Sequence, residues 1–143
     1  MEMQANLKWI EGWQFVARAG DGPAVVIDGH TPRGGPSPME LVLMGVAGCT
    51  ATDVILVMEK KRQKVTDFQV NISGERAKEH PRRYTHIHLE YVLTGTGISE
   101  KAVERAIQLS EEKYCSAISS LCAEVDHSYR IVDASGAGQD PEQ

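Results

Sequence analysis

The spacing of apolar residues changes along the chain. Three short β-branched and aromatic runs, Ala5–Ile10, Trp13–Arg18 and Val25–Ile27, are parted by Glu11-Gly12 and by Gly20-Asp21-Gly22-Pro23, and they predict a three-stranded antiparallel meander. A Gly/Pro-rich loop, Gly29–Pro36, follows. From Pro36 to Arg62 the pattern becomes that of one long helix. Ser37 is suited to cap it, Pro38 suits the first helical position, and Glu40 stands where a capping-box carboxylate belongs. Between Leu41 and Ala51 there is no charged side chain, and apolar residues run all round the cylinder, which predicts a helix covered on every side. The charge-free run, about eleven residues, is shorter than a bilayer requires, so the expected cover is protein. Gly45 and Gly48 each lower helix propensity by roughly 1 kcal/mol, a loss that makes sense where another backbone comes close.

After this helix the period falls to two. In Thr66–Ser73, Phe68, Val70 and Ile72 face one way; in Tyr84–Leu93, Ile87, Leu89, Tyr91 and Leu93 do so, with His86, His88 and Glu90 opposite. Gly74–Arg83 reads as a fraying end and a connection, and Thr94–Gly97 as a break. Ser99 then caps a second helix whose apolar stripe is Val103, Ala106, Ile107, Ser110 and Tyr114. Cys115, Ile118, Leu121 and Cys122 extend it, with room for a kink. His127–Asp133 reads as a closing strand. The order is α+β, a single domain over residues 1–133, with 134–143 as a disordered tail.

Composition narrows the classes. The 143 residues are 41% hydrophobic and 24% charged, with a net charge of -5, which fits a globular protein and argues against nucleic acid or an anionic membrane as partner. Met1–Leu7 has no cationic stretch followed by an apolar run, so no secretory signal is expected. Three cysteines without a CxxC pair then suit a reducing cytoplasm.

The cysteines are the candidate chemistry. A lone helical cysteine is more often a small core residue, and Cys49 taken alone fits that description. Cys115 follows Glu111, Glu112, Lys113 and Tyr114, where a polar helix face meets an apolar one. Two such cysteines can meet across a helix pair, although spacing does not establish that they do. His86 and His88 share a strand face, but one His-x-His falls short of the three or four ligands of a zinc site, and a wet strand face accounts for it. Gly45-Val-Ala-Gly48 spells GXXG inside an apolar helix, where no phosphate reaches.

Glu40-Leu-Val-Leu-Met-Gly-Val-Ala-Gly-Cys49 after a Ser-Pro turn, together with Tyr114-Cys115, resembles the OsmC/Ohr family of thiol peroxidases. The Pro-Ser-Pro-Met-Glu turn, the Glu-Lys-Tyr-Cys-Ser segment and the late His-Ser-Tyr resemble its YhfA-like branch. The resemblance implies an intertwined homodimer, with antiparallel sheets wrapped around long central helices and two sites at the interface. It further implies reduction of organic hydroperoxides or hydrogen peroxide in oxidative stress defence. Cys49 would be the peroxidatic thiolate and Cys115 the resolving thiol, with no cofactor beyond an external dithiol reductant, such as a lipoyl or thioredoxin-like protein. Glu40 would orient a catalytic arginine. Arg33, in the loop beside the helix start, is the choice for it, with Arg18, Arg82 and Arg83 as alternatives. Met44, Val46 and Met58, taken as neighbours of Cys49, favour an organic peroxide. Cys122 reads as core packing, or else as a third redox thiol. The alternative function is a non-catalytic dimer of this fold that binds an apolar or thiol-bearing small molecule between its subunits.

Overall fold

The computed structural model describes residues 1–30 and 33–134, so all but the first residue of the expected tail, 134–143, lies outside the described residues. The chain forms two compact units, Met1–Val42 and Leu43–Gln143.

In the first unit the meander forms as the turn residues predict. β1 (Ala5–Glu11), β2 (Gln14–Ala19) and β3 (Val25–Asp28) pair in chain order, all antiparallel, with Trp9 opposite Phe15 and Phe15 opposite Ile27. Much of its apolar surface is open: Leu7, Trp9, Ile10, Trp13, Val25 and Val26 are all exposed. The loop after β3 is tied down by Asp28. Its carboxylate accepts from the backbone N–H of His30 and of Gly34, each at 3.0 Å, and from Gln14 Nε2 at 3.1 Å. The two backbone donors above all hold the Asp28 carboxyl below the usual carboxylate range. Gly35 must be glycine, since a Cβ there would sit 2.2 Å from the Val26 carbonyl oxygen.

The long helix α1 runs from Pro38 to Lys60 and starts on a reciprocal capping box. Glu40 N–H donates to Ser37 Oγ at 3.2 Å, and Ser37 N–H donates to Glu40 Oε1 at 2.9 Å. Its end is sharp because Arg62 adopts φ 57°, a left-handed conformation usually left to glycine, while Gln63 N–H reaches back to Met58 O at 3.0 Å. At 23 residues and a mean hydropathy of 2.0 over its most apolar stretch, α1 is long and apolar enough to cross a bilayer by length and composition alone. The charge-free run within it still ends at Asp53, and a buried core helix can be as long and as apolar.

The second unit holds the sheet β4 (Lys64–Arg76), β5 (Tyr84–Thr96) and β6 (Glu124–Asp133), in that order. β4 and β5 are antiparallel, from Lys64 opposite Thr96 to Arg76 opposite Tyr84. Both strands outrun their predicted ends, because backbone pairing continues where side-chain alternation fades. Thr94–Gly97 does not break β5; Gly95 lies within it, where a Cβ would come 2.1 Å from Lys64 O. β6 pairs with β5 in parallel, an orientation that alternation cannot reveal. Ile87, Leu89, Tyr91 and Leu93 on β5 are fully buried, as are Val103, Ala106 and Ile107 on α2 (Glu100–Leu109), whose cap is Ser99.

Two expectations about α1 are overturned within the chain. Only Val46, Thr50, Val54 and Met58 are buried, a single stripe of i+4 steps, whereas Met44 and Leu56 are exposed. Among the described residues nothing lies within 4 Å of a Cβ built at Gly45 or Gly48, so no described backbone exploits them. With about 100° per residue, Gly45, Gly48, Thr52 and Leu56 share the face away from the buried stripe.

Replacing Arg62 by glycine removes the left-handed strain that ends α1. The expected outcome is a gain of about 1 kcal/mol in urea unfolding, and an unchanged or lower midpoint would contradict it.

Candidate active site

Cys49 sits on α1 at the border between the buried stripe and the open face, and is half-buried. Asp53, one turn later, projects from the same side of the helix. It is the only charged residue between Leu41 and Met58. Cys115 reaches the same place from the other end of the unit, through an irregularity. After α2 the chain makes a π-helical turn, Ser110–Tyr114, closed by Cys115 N–H to Ser110 O at 2.7 Å. The wider turn shifts the helical phase. Tyr114, predicted on the apolar stripe, swings out to 49% exposure, while Cys115 is only 5% exposed. Cys115 then caps the short helix α3 (Ser116–Ser119), its Sγ accepting from Ile118 N–H at 3.4 Å.

Cys49 Sγ, Cys115 Sγ and an Asp53 carboxylate oxygen all lie within 4.8 Å of one another. The two thiols are free. Burial, opposed by the Ile118 N–H and reinforced by the neighbouring Cys49, pushes the Cys115 thiol up to about 11. Ser110 Oγ donates to Asp53 Oδ2 at 3.0 Å, so the π-turn that delivers Cys115 also fixes the carboxylate.

Under this cluster lies a polar chain that the sequence reading missed. Tyr91 OH donates to Glu111 Oε2 at 2.9 Å, and Glu111 Oε1 is 3.0 Å from His127 Nδ1. Burial first, then the Glu111 charge, raises the Tyr91 hydroxyl far above the ordinary phenol range, with Thr50 and Cys115 also beside it. Asp53 opens onto a groove of about 560 Å³ whose walls include Leu56, Val57, Leu109 and Tyr114, with Lys60 and Lys61 at its margin.

The other predicted residues fall as follows. In the first unit Arg33 Nη1 forms an ion pair with Glu40 Oε1. Glu40 therefore caps the helix and holds the arginine at once. Its carboxyl is held below the usual range, chiefly by the Ser37 N–H and hydroxyl, with Arg33 adding to them. Cys122 is not core packing: it is exposed, past the end of α3, because the helix stops at Ser119. Val46 and Met58 are turned into the core, whereas Met44 is exposed. His86 and His88 both bond Asp126 on the sheet face, which occupies them with a carboxylate.

A buried and a half-buried thiol brought together from separate elements define a dithiol protein. The model of the OsmC-like protein family matches residues 29–130, and the chain belongs to that family. It is 43% identical over 134 residues to protein YhfA of Escherichia coli K12, covering 92% of this chain and all of that protein. A crystal structure of a hypothetical protein from Aquifex aeolicus superposes with a TM-score of 0.84 at 29% identity, covering 93% of this chain and 98% of that one. An organic hydroperoxide resistance protein OsmC from Legionella pneumophila shares the fold at a TM-score of 0.64 and 16% identity, over 92% and 96% of the two chains.

The Cys115 environment makes a pH prediction. Its folded pKa, about 11, exceeds the ordinary 9.0, so the neutral thiol's contribution to stability is complete below pH 9 and is lost as pH rises through about 11. Iodoacetamide labelling of Cys115, read by peptide mass, should have its midpoint near 11 and move downward in Cys49→Ser. A midpoint at the ordinary value in both proteins would contradict this placement.

Proposed function

We propose that this protein is a cysteine-based hydroperoxide reductase in which Cys49 is the peroxidatic and Cys115 the resolving residue. The observation that carries the reading is the approach of the two sulfurs to within 4.8 Å from elements far apart in sequence. Cys49 thiolate attacks the distal peroxide oxygen, the O–O bond breaks, and the alkoxide leaves and takes up a proton. The resulting Cys49 sulfenic acid condenses with the Cys115 thiol, giving a disulfide and water. An S–S bond of about 2.05 Å needs only a short movement of these side chains. A dithiol reductant of the cytoplasm, lipoyl- or thioredoxin-like, then returns both thiols by exchange.

The thiolate, not the thiol, is the nucleophile, so a cation is required. Arg33 is the guanidinium assigned to this role, held by Glu40, which the capping box fixes in turn. A homodimer is part of the proposal. Its support is the small-residue face of α1 at Gly45 and Gly48, uncovered among the described residues, and the exposed Trp9, Ile10 and Trp13 of the first unit. The groove at Asp53, with its apolar walls, favours a second reading in which the dimer binds an apolar small molecule without turnover.

One equivalent of cumene hydroperoxide separates the readings, with free-thiol count and intact mass as readouts. Rapid loss of two thiols in wild type, a trapped sulfenate in Cys115→Ser and no fast reaction in Cys49→Ser are expected. Equally slow reaction at all three cysteines would leave the binding reading. For the dimer, sedimentation should give twice the chain mass in wild type and the single-chain mass in Gly48→Leu; a monomeric wild type would refute it.

A further inference from the structure

Three donors of metal-binding type converge at the thiol site: two sulfurs and one carboxylate, all within 4.8 Å of one another. A tetrahedral zinc ion with Zn–S near 2.3 Å and Zn–O near 2.0–2.2 Å sets its donors about 3.5–3.8 Å apart, so closing on the ion takes side-chain shifts of about 1 Å. Thiolate and carboxylate together suit a borderline-soft divalent cation. The charge of the cluster favours a cation as well. With both thiols ionised the cluster carries three negative charges, and among the described residues Asp53 has no ion-pair partner. The Ser110 hydroxyl, 3.0 Å from Asp53 Oδ2, orients the carboxylate as outer-shell partners of metal ligands do. Asp53 also lines the open groove, which gives an ion a way in and leaves the fourth position to water.

We propose that the reduced protein binds one zinc ion per chain through Cys49, Cys115 and Asp53, in competition with oxidation of the same thiols. Binding releases the two thiol protons: two thiols, one carboxylate and Zn²⁺ become a bis-thiolate carboxylate complex and two H⁺. Oxidation of the pair to the disulfide removes two of the three donors and expels the ion. The binding step rests on the geometry alone, while its consequence, shielding of Cys49 from peroxide, rests on the peroxidase reading.

The test uses untagged, reduced, chelator-treated full chain in a Cys122→Ser background, titrated anaerobically with Co²⁺ and then Zn²⁺. Thiolate-to-cobalt charge-transfer absorption reports the sulfur ligands and its loss to Zn²⁺ reports exchange. The expected result is a band saturating at one equivalent, absent in Cys49→Ser and in Cys115→Ser, with zinc affinity at least about tenfold weaker in Asp53→Asn. Ser110→Ala, which leaves all three donors in place, should weaken binding about tenfold. No band, a band that survives loss of either cysteine, or unchanged affinity in Asp53→Asn would overturn the site. A band in a protein whose thiols ignore peroxide would sink the peroxidase reading and keep the metal site; fast peroxide reaction without a band would do the reverse.

Discussion

The bond from Cys115 N–H to Ser110 O, spanning five residues instead of four, decides what the second unit can do. An unbroken α-helix would continue the phase of α2, with Tyr114 on the buried stripe and Cys115 a step away from it. The π-turn inverts that: Tyr114 turns out, Cys115 turns in, and Ser110 is left with its hydroxyl on Asp53. One local deviation therefore places the second thiol and anchors the carboxylate beside the first. Such widened turns recur at functional sites because the altered phase re-aims a side chain that a regular helix would misdirect.

The electrostatics of the site run against its chemistry. Burial first, and then the neighbouring Cys49 thiol, favours the neutral form of Cys115. Nucleophilic attack by Cys49 needs the opposite, a stabilised anion. In the peroxidase reading a guanidinium supplies this. Ser37 binds the Glu40 carboxylate through its N–H, and that carboxylate binds Arg33. In the metal-binding inference a divalent cation supplies the same charge and thereby withholds the thiolate. Both answers address one constraint: a cluster with more acidic groups than cations.

Sequence pattern revealed the strands and helices because period and turn chemistry are local. The Ser37-Pro38-Glu40 start, the alternation of Ile87 to Leu93 and the Ser99 cap each name their structure in a few residues. What was hidden depends on partners distant in sequence. Helical periodicity does not show the π-turn, so it puts Tyr114 on the wrong face and Cys122 in a core it does not enter. Parallel pairing of β6 leaves no trace in alternation. The Tyr91–Glu111–His127 chain joins β5, the π-turn and β6, and none of the three residues is unusual where it stands. Asp53 did carry a signal: it is the lone charge in an apolar run, one turn after the cysteine. The uncovered side of α1 is the clearest divergence. An all-round apolar helix demands cover on every side, and the described residues bury only the Val46–Met58 stripe.

The central claim is that Cys49 and Cys115 form a specific redox pair within one chain. Peptide mapping after one equivalent of hydroperoxide, with free thiols blocked first, tests it most directly. The account predicts a single Cys49–Cys115 linkage inside the chain, with Cys122 still alkylated. Disulfides that join Cys122, or that link separate chains in proportion to protein concentration, would contradict it.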